Sequence, residues 1–100
     1  MQVLVDKAND INKEVNIRET VAADRFNATR FSVICTGTIT AGEPVLEISH
    51  DSIHWVPYLD EAGEPVVLEE GKVYGVDMTS GYIRVNMTNV LSSDLYVSIA

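Results

Sequence analysis

From residue 36 to residue 100 the chain alternates apolar and polar side chains in short runs, and this alternation constrains its fold more than any other feature. Val45, Glu47 and Ser49 alternate with Leu46 and Ile48, and Tyr82, Arg84 and Asn86 alternate with Ile83, Val85 and Met87. A period of two puts successive side chains on opposite faces of an extended backbone, whereas a helix repeats about every 3.6 residues. The runs predict strands at 30–36, 44–50, 54–58, 66–69, 72–77, 82–87 and 95–99. Turn chemistry separates them. Thr40-Ala41-Gly42-Glu43-Pro44 and Asp60-Glu61-Ala62-Gly63-Glu64-Pro65 each supply a Gly for an unusual φ and a Pro to open the next strand, and Thr79-Ser80-Gly81 and Ser92-Ser93-Asp94 are polar tips. Strands recurring about every ten residues have the rhythm of a sandwich or small barrel. The fold class expected is all-β, an antiparallel β-sandwich of jelly-roll or Ig-like type with about seven to nine short strands.

The first 28 residues differ from this pattern. A strand-like start over 2–5 runs into a polar, charged stretch over 6–14. Val15, Ile17, Thr20 and Val21 suggest a second weak strand, and 22–28 a helical turn with Asp24 and Arg25 exposed. Two readings stand side by side: an extended N-terminal arm, or an edge strand followed by a loop. As an arm, residues 1–28 would lend unpaired backbone at Val3, Leu4 and Val5 to a neighbouring subunit by strand addition, while 29–100 form the sandwich.

One hundred residues make one domain, and folding a chain this short removes only about two-thirds of its unfolded surface from water. Such a domain gains from a partner or from its own copies. Fifteen acidic residues against seven basic ones leave a net charge of −8. Phosphate recognition needs a basic footprint, so nucleic acid is not an expected partner, and an anionic membrane surface would repel the chain. The same charge favours docking against a basic protein face. The start of the chain lacks the basic region and long apolar run of a signal peptide, and no segment is long and apolar enough to cross a bilayer. The expected location is a reducing cytoplasm, or a particle carried out of the cell.

Residues with chemical potential are few. Cys35 is the only cysteine and lies in the apolar run Phe31-Ser32-Val33-Ile34-Cys35, which reads as a small buried hydrophobe. A nucleophilic role would need a base held beside it, and His50 and His54 fall beyond the next turn. His50, Asp51 and His54 come nearest to a metal cluster, but a structural zinc site wants four ligands, and Asp in a turn has a local role of its own. No calcium-loop spacing surrounds Asp60, Glu61 and Glu64, and no phosphate loop or nucleophile elbow occurs. No enzyme activity, metal or cofactor is expected. Trp55, in Ile53-His54-Trp55-Val56-Pro57-Tyr58, is expected to plug the core near Cys35 with Ile53 on the same face. The functional alternative is an exposed Trp55 that stacks on a sugar, with Tyr58, Tyr74 and Tyr82 as further aromatic candidates.

The run Leu46-Glu47-Ile48-Ser49-His50-Asp51-Ser52-Ile53-His54-Trp55-Val56-Pro57, its continuation Asp60-Glu61-Ala62-Gly63-Glu64-Pro65, and the later Gly81-Tyr82-Ile83-Arg84-Val85 resemble small β-sandwich virion proteins of tailed bacteriophages. Members of that group usually carry Gly where this chain has Ser52, so the turn there is expected to differ. The resemblance covers residues 36–100. It implies a structural protein of the virion: a capsid decoration (cement) subunit that stabilises the head by protein–protein contacts, or a neck or tail accessory protein. It implies the major capsid protein or other virion proteins as partners, and a homo-oligomer such as a trimer. A carbohydrate-binding module for host attachment is the alternative from a different class.

Overall fold

A computed structural model describes residues 2–17, 29–78 and 81–100. Among the described residues, nine strands form two antiparallel sheets. They are β1 (Gln2–Asp6), β2 (Ile11–Asn12), β3 (Val15–Asn16), β4 (Thr29–Thr36), β5 (Val45–Ser49), β6 (Val56–Pro57), β7 (Lys72–Met78), β8 (Tyr82–Asn86) and β9 (Tyr96–Ile99). The larger sheet runs β2-β1-β9-β4-β7 and the smaller β3-β8-β5-β6. The strands expected at 30–36, 44–50, 72–77, 82–87 and 95–99 are present, with ends shifted by a residue or so.

The alternation read from sequence sorts the two faces. Val33, Cys35, Val97 and Ile99 of the larger sheet and Leu46, Ile83 and Val85 of the smaller are buried in one shared core. Burying a side chain of this size stabilises by roughly 1.5–3 kcal/mol relative to leaving it in water. Leu68, Val90 and Leu95, on the connections, close the ends of the same core. At the entrance to β8, Gly81 has φ +123°, and a Cβ there would lie 2.3 Å from the carbonyl oxygen of Ser49. The close approach of β5 and β8 at that end therefore requires glycine.

Two expected strands are shorter than their sequence suggests. Of 54–58, only Val56–Pro57 pairs with β5, opposite Ile48 and Glu47. The turn before it draws the backbone of Ile53 and His54 toward Asp51, and after it only the Tyr58 N–H continues the ladder, to the Leu46 carbonyl at 2.9 Å. The segment at 66–69 is reduced to isolated bridges, Val45 with Val67 and Leu59 with Pro65. The Glu69 N–H turns to the Tyr74 hydroxyl, 2.7 Å away, instead of to a neighbouring strand.

Of the two readings of the N-terminal segment, the arm is corrected for β1, while β2 and β3 of the same segment are edge strands of the two sheets. β1 lies inside the larger sheet, paired to β9 along its length and to β2 through Val5 and Asp6. Leu4 and Val5 are fully buried. Their side chains belong to the chain's own core, so they are not a surface offered to a partner; Val3, opposite Ser98, is half-buried. The physical cause is the turn at 7–10. Asp6 accepts from the N–H and side-chain amide of Asn9, Asp10 takes a left-handed φ of 55°, and the chain doubles back to lay β2 along β1. The second strand expected over Val15, Ile17, Thr20 and Val21 is present at its start as β3, and its Thr20 and Val21 part and the helical turn at 22–28 lie outside the described residues.

Candidate functional site

The outward face of the smaller sheet carries the most organised polar group of the molecule. Leu46 and Ile48 point inward from β5, so Glu47 points outward; Ile83 and Val85 do the same on β8 and leave Arg84 outward, directly opposite Glu47. Arg84 Nε donates to Glu47 Oε1 at 2.8 Å, and Asn86 Nδ2 donates to Oε2 at 3.3 Å. The Arg84 guanidinium carbon sits 4.1 Å from the centroid of the Trp55 ring. That distance is well inside cation–π range. Glu47 retains 8% of its surface although it faces away from the core.

Trp55 is therefore not the core plug expected from its size. The residues before it leave the strand in a turn, so the expected alternation of Ile53 and Trp55 does not apply. Ile53 is 75% exposed, and Trp55 is half-buried against the outer face. Cys35, its expected neighbour, is fully buried in the shared core. Burial, and then the charge of Glu70, push the Cys35 thiol above its ordinary value, which works against a thiolate nucleophile.

The turn from Ser49 to His54 is organised by one carboxylate. Asp51 Oδ1 accepts from the N–H groups of Ile53 and His54 at 2.9 and 2.8 Å and from the Ser49 hydroxyl at 3.0 Å, while Oδ2 lies 2.6 Å from His54 Nδ1. The backbone N–H of His54, the His54 ring and the N–H of Ile53 hold the Asp51 carboxyl far below the usual carboxylate range. Ser52 occupies the left-handed region at φ +64°, which favours glycine. The Ser52 hydroxyl reaches Glu14. Asp51 thus has the local role that turn chemistry assigns to Asp. Among the described residues, no three His, Cys, Asp or Glu side chains converge as metal ligands.

Two further aromatics have structural partners. The Tyr58 hydroxyl accepts from the Asp77 N–H at 3.2 Å, and the Tyr74 hydroxyl accepts from Glu69 N–H and donates to the Val67 carbonyl. Sequence reasoning missed the Glu47–Arg84 pair. Its signal was available, since both residues hold the outward phase of adjacent alternating runs, but which runs lie side by side is not written in either one.

The fold and this face define an all-β protein of two antiparallel sheets with a capped, aromatic-covered ion pair on its outer surface. No helix of the described residues is long and apolar enough to cross a membrane. No protein-family model, curated protein or solved structure matches the chain.

Proposed function

We propose that this chain is a structural protein of a bacteriophage virion, a capsid decoration subunit that holds the shell by protein–protein contact and acts as a homo-oligomer. The observation that supports this most is the folded form of the segment bearing the resemblance. Residues 46–66 make a strand, a tight Asp51-centred turn, a short second strand and a hairpin tip at Gly63, φ +80°. The large apolar side chains left outside, Ile53, Val56, Leu59, Val73 and Leu91, supply contact area, worth about 25 cal/mol per Å² before association costs. The acidic surface suits a basic patch on the shell. Mixing the purified protein with undecorated capsids and sedimenting them tests the proposal. Co-sedimentation at micromolar protein supports it, and protein left in the supernatant refutes it.

A second reading, a carbohydrate-binding module, is favoured by the outward position of Trp55 beside Arg84. Tyr58 and Tyr74 have hydroxyls engaged within the fold, which leaves Trp55 and half-buried Tyr82 as stacking surfaces. Titration with a panel of sugars, read by tryptophan fluorescence, separates the readings. A saturable spectral shift supports the module; an unchanged spectrum across the panel removes it.

A further inference from the structure

We propose that the edge of β7 around Val73 and Gly75 is a docking site for an extended, basic segment of a partner protein, added as a sixth strand to the larger sheet. The proposal deepens the docking role above by naming its surface, and rests on that role.

β7 is the last strand of its sheet, and seven residues pair with β4 without a shift in register. Hydrogen-bond parity fixes which backbone groups look outward. Ser32 of β4 exchanges both of its backbone bonds with Ala100, at 2.9 and 3.0 Å, on the side away from β7. Gly75, directly opposite Ser32, therefore points its N–H and C=O away from β4, and the period of two does the same for Val73 and Asp77. Asp77 confirms the direction: its N–H is taken by the Tyr58 hydroxyl, from outside the sheet. A Cβ built on Gly75 meets nothing within 4 Å, so the sheet face beside this stretch of the edge is uncovered.

Beside the edge runs a groove of about 510 Å³ between β7 and the hairpin that follows β6. Val73, 63% exposed, and Leu59, 53% exposed, give it apolar surface. Asp60, Glu61 and Asp77 also line it, and no Lys or Arg does. An incoming strand would place alternate apolar residues against Tyr58 and Leu59 and the others beside the carboxylates, which selects lysine or arginine at those positions. Proteins usually blunt such edges with charge, proline or bulges. Here Lys72 is tied to Glu69 at 2.6 Å, Asp77 to Arg30 at 3.3 Å, and the middle of the strand is Val73-Tyr74-Gly75-Val76. A second copy of β7 would bring its own Asp77 and hairpin acids to an acidic groove, so charge favours a foreign basic strand.

The test uses a peptide of four Val-Lys repeats, with a Val-Glu counterpart, and amide hydrogen exchange of the intact chain. The Val-Lys peptide is expected to slow exchange at Val73 and Gly75 by about tenfold or more, and the Val-Glu peptide to leave both unchanged. Gly75→Pro removes an outward N–H and no bond to β4, and Val73→Lys adds a repelling charge at the rim; both should keep the wild-type circular dichroism and lose the peptide effect, which in the Gly75→Pro variant is read at Val73 because proline has no amide hydrogen. No protection at Val73 and Gly75, or protection that survives both substitutions, overturns the proposal. So does light scattering that shows a wild-type dimer dispersed by Gly75→Pro, which would assign the edge to a second copy. In capsid sedimentation, both variants pelleting as well as wild type overturns the edge alone. Wild type failing to pellet overturns the docking role, while the peptide result still decides whether the edge accepts a strand.

Discussion

Two arginines answer carboxylates directly across neighbouring strands, and they have different consequences. Arg84 faces Glu47 in the middle of the smaller sheet; Arg30 faces Asp77 at the edge of the larger one. Both use Nε, at 2.8 and 3.3 Å. The Glu47 side chain is only 11% exposed, under Arg84, Asn86 and the neighbouring Trp55, whereas Arg30 and Asp77 side chains are 78% and 57% exposed. Burial, more than distance, separates them. A carboxylate removed from water depends on its partners, and one in water can exchange its arginine for solvent at little cost. The inner pair is a structural rivet, and the outer pair leaves its strand edge free to bind.

Replacing Arg84 by Ala should break this comparison most visibly. It strands the Glu47 carboxylate with only Asn86, and chemical denaturation should show a loss of about 2 kcal/mol. Adding Glu47→Leu to Arg84→Met should recover much of that loss, because the orphaned charge goes with it. If the single substitution costs nothing measurable, the inner pair is no rivet. Trp55→Ala comes next: losing the ring over Arg84 should cost about 1 kcal/mol and expose the pair to salt, read as a denaturation midpoint that falls with added NaCl in the variant more than in wild type.

Asp51 sharpens the contrast through pH. Its folded carboxyl is depressed, so the stability it contributes is complete above the ordinary carboxylate value near 4 and is lost as pH falls below that. Thermal unfolding of wild type and Asp51→Asn should therefore differ at pH 6 and converge toward pH 2. A difference that widens in acid would contradict the assigned hydrogen bonds. The smallest effect belongs to the outer pair. Arg30→Ala should change stability by under about 0.5 kcal/mol, and 0.5 M salt should erase even that.

Much of the fold was legible. Glu47 and Arg84 lie in runs whose period is unambiguous, and β4, β5, β7, β8 and β9 follow those runs closely. Cys35 was readable as buried because it closes the largely apolar run Phe31-Ser32-Val33-Ile34-Cys35. The candidate site was less legible. Trp55 looked like core because a large indole usually is, yet a turn held by Asp51 breaks the phase between β5 and β6 and delivers the ring to Arg84 instead. Val3, Leu4 and Val5 looked available because nothing local shows that β9, more than ninety residues later, pairs with them.

Local alternation and turn residues settle which segments extend and which face of each is greasy, because both depend on neighbours a few bonds apart. Strand order does not arise that way. That β1 is enclosed while β7 is left at the rim, and that Glu47 meets Arg84, follows from pairings between distant segments, chosen by how the two sheets bury their apolar faces against each other. Only the assembled core sets which backbone edge stays open.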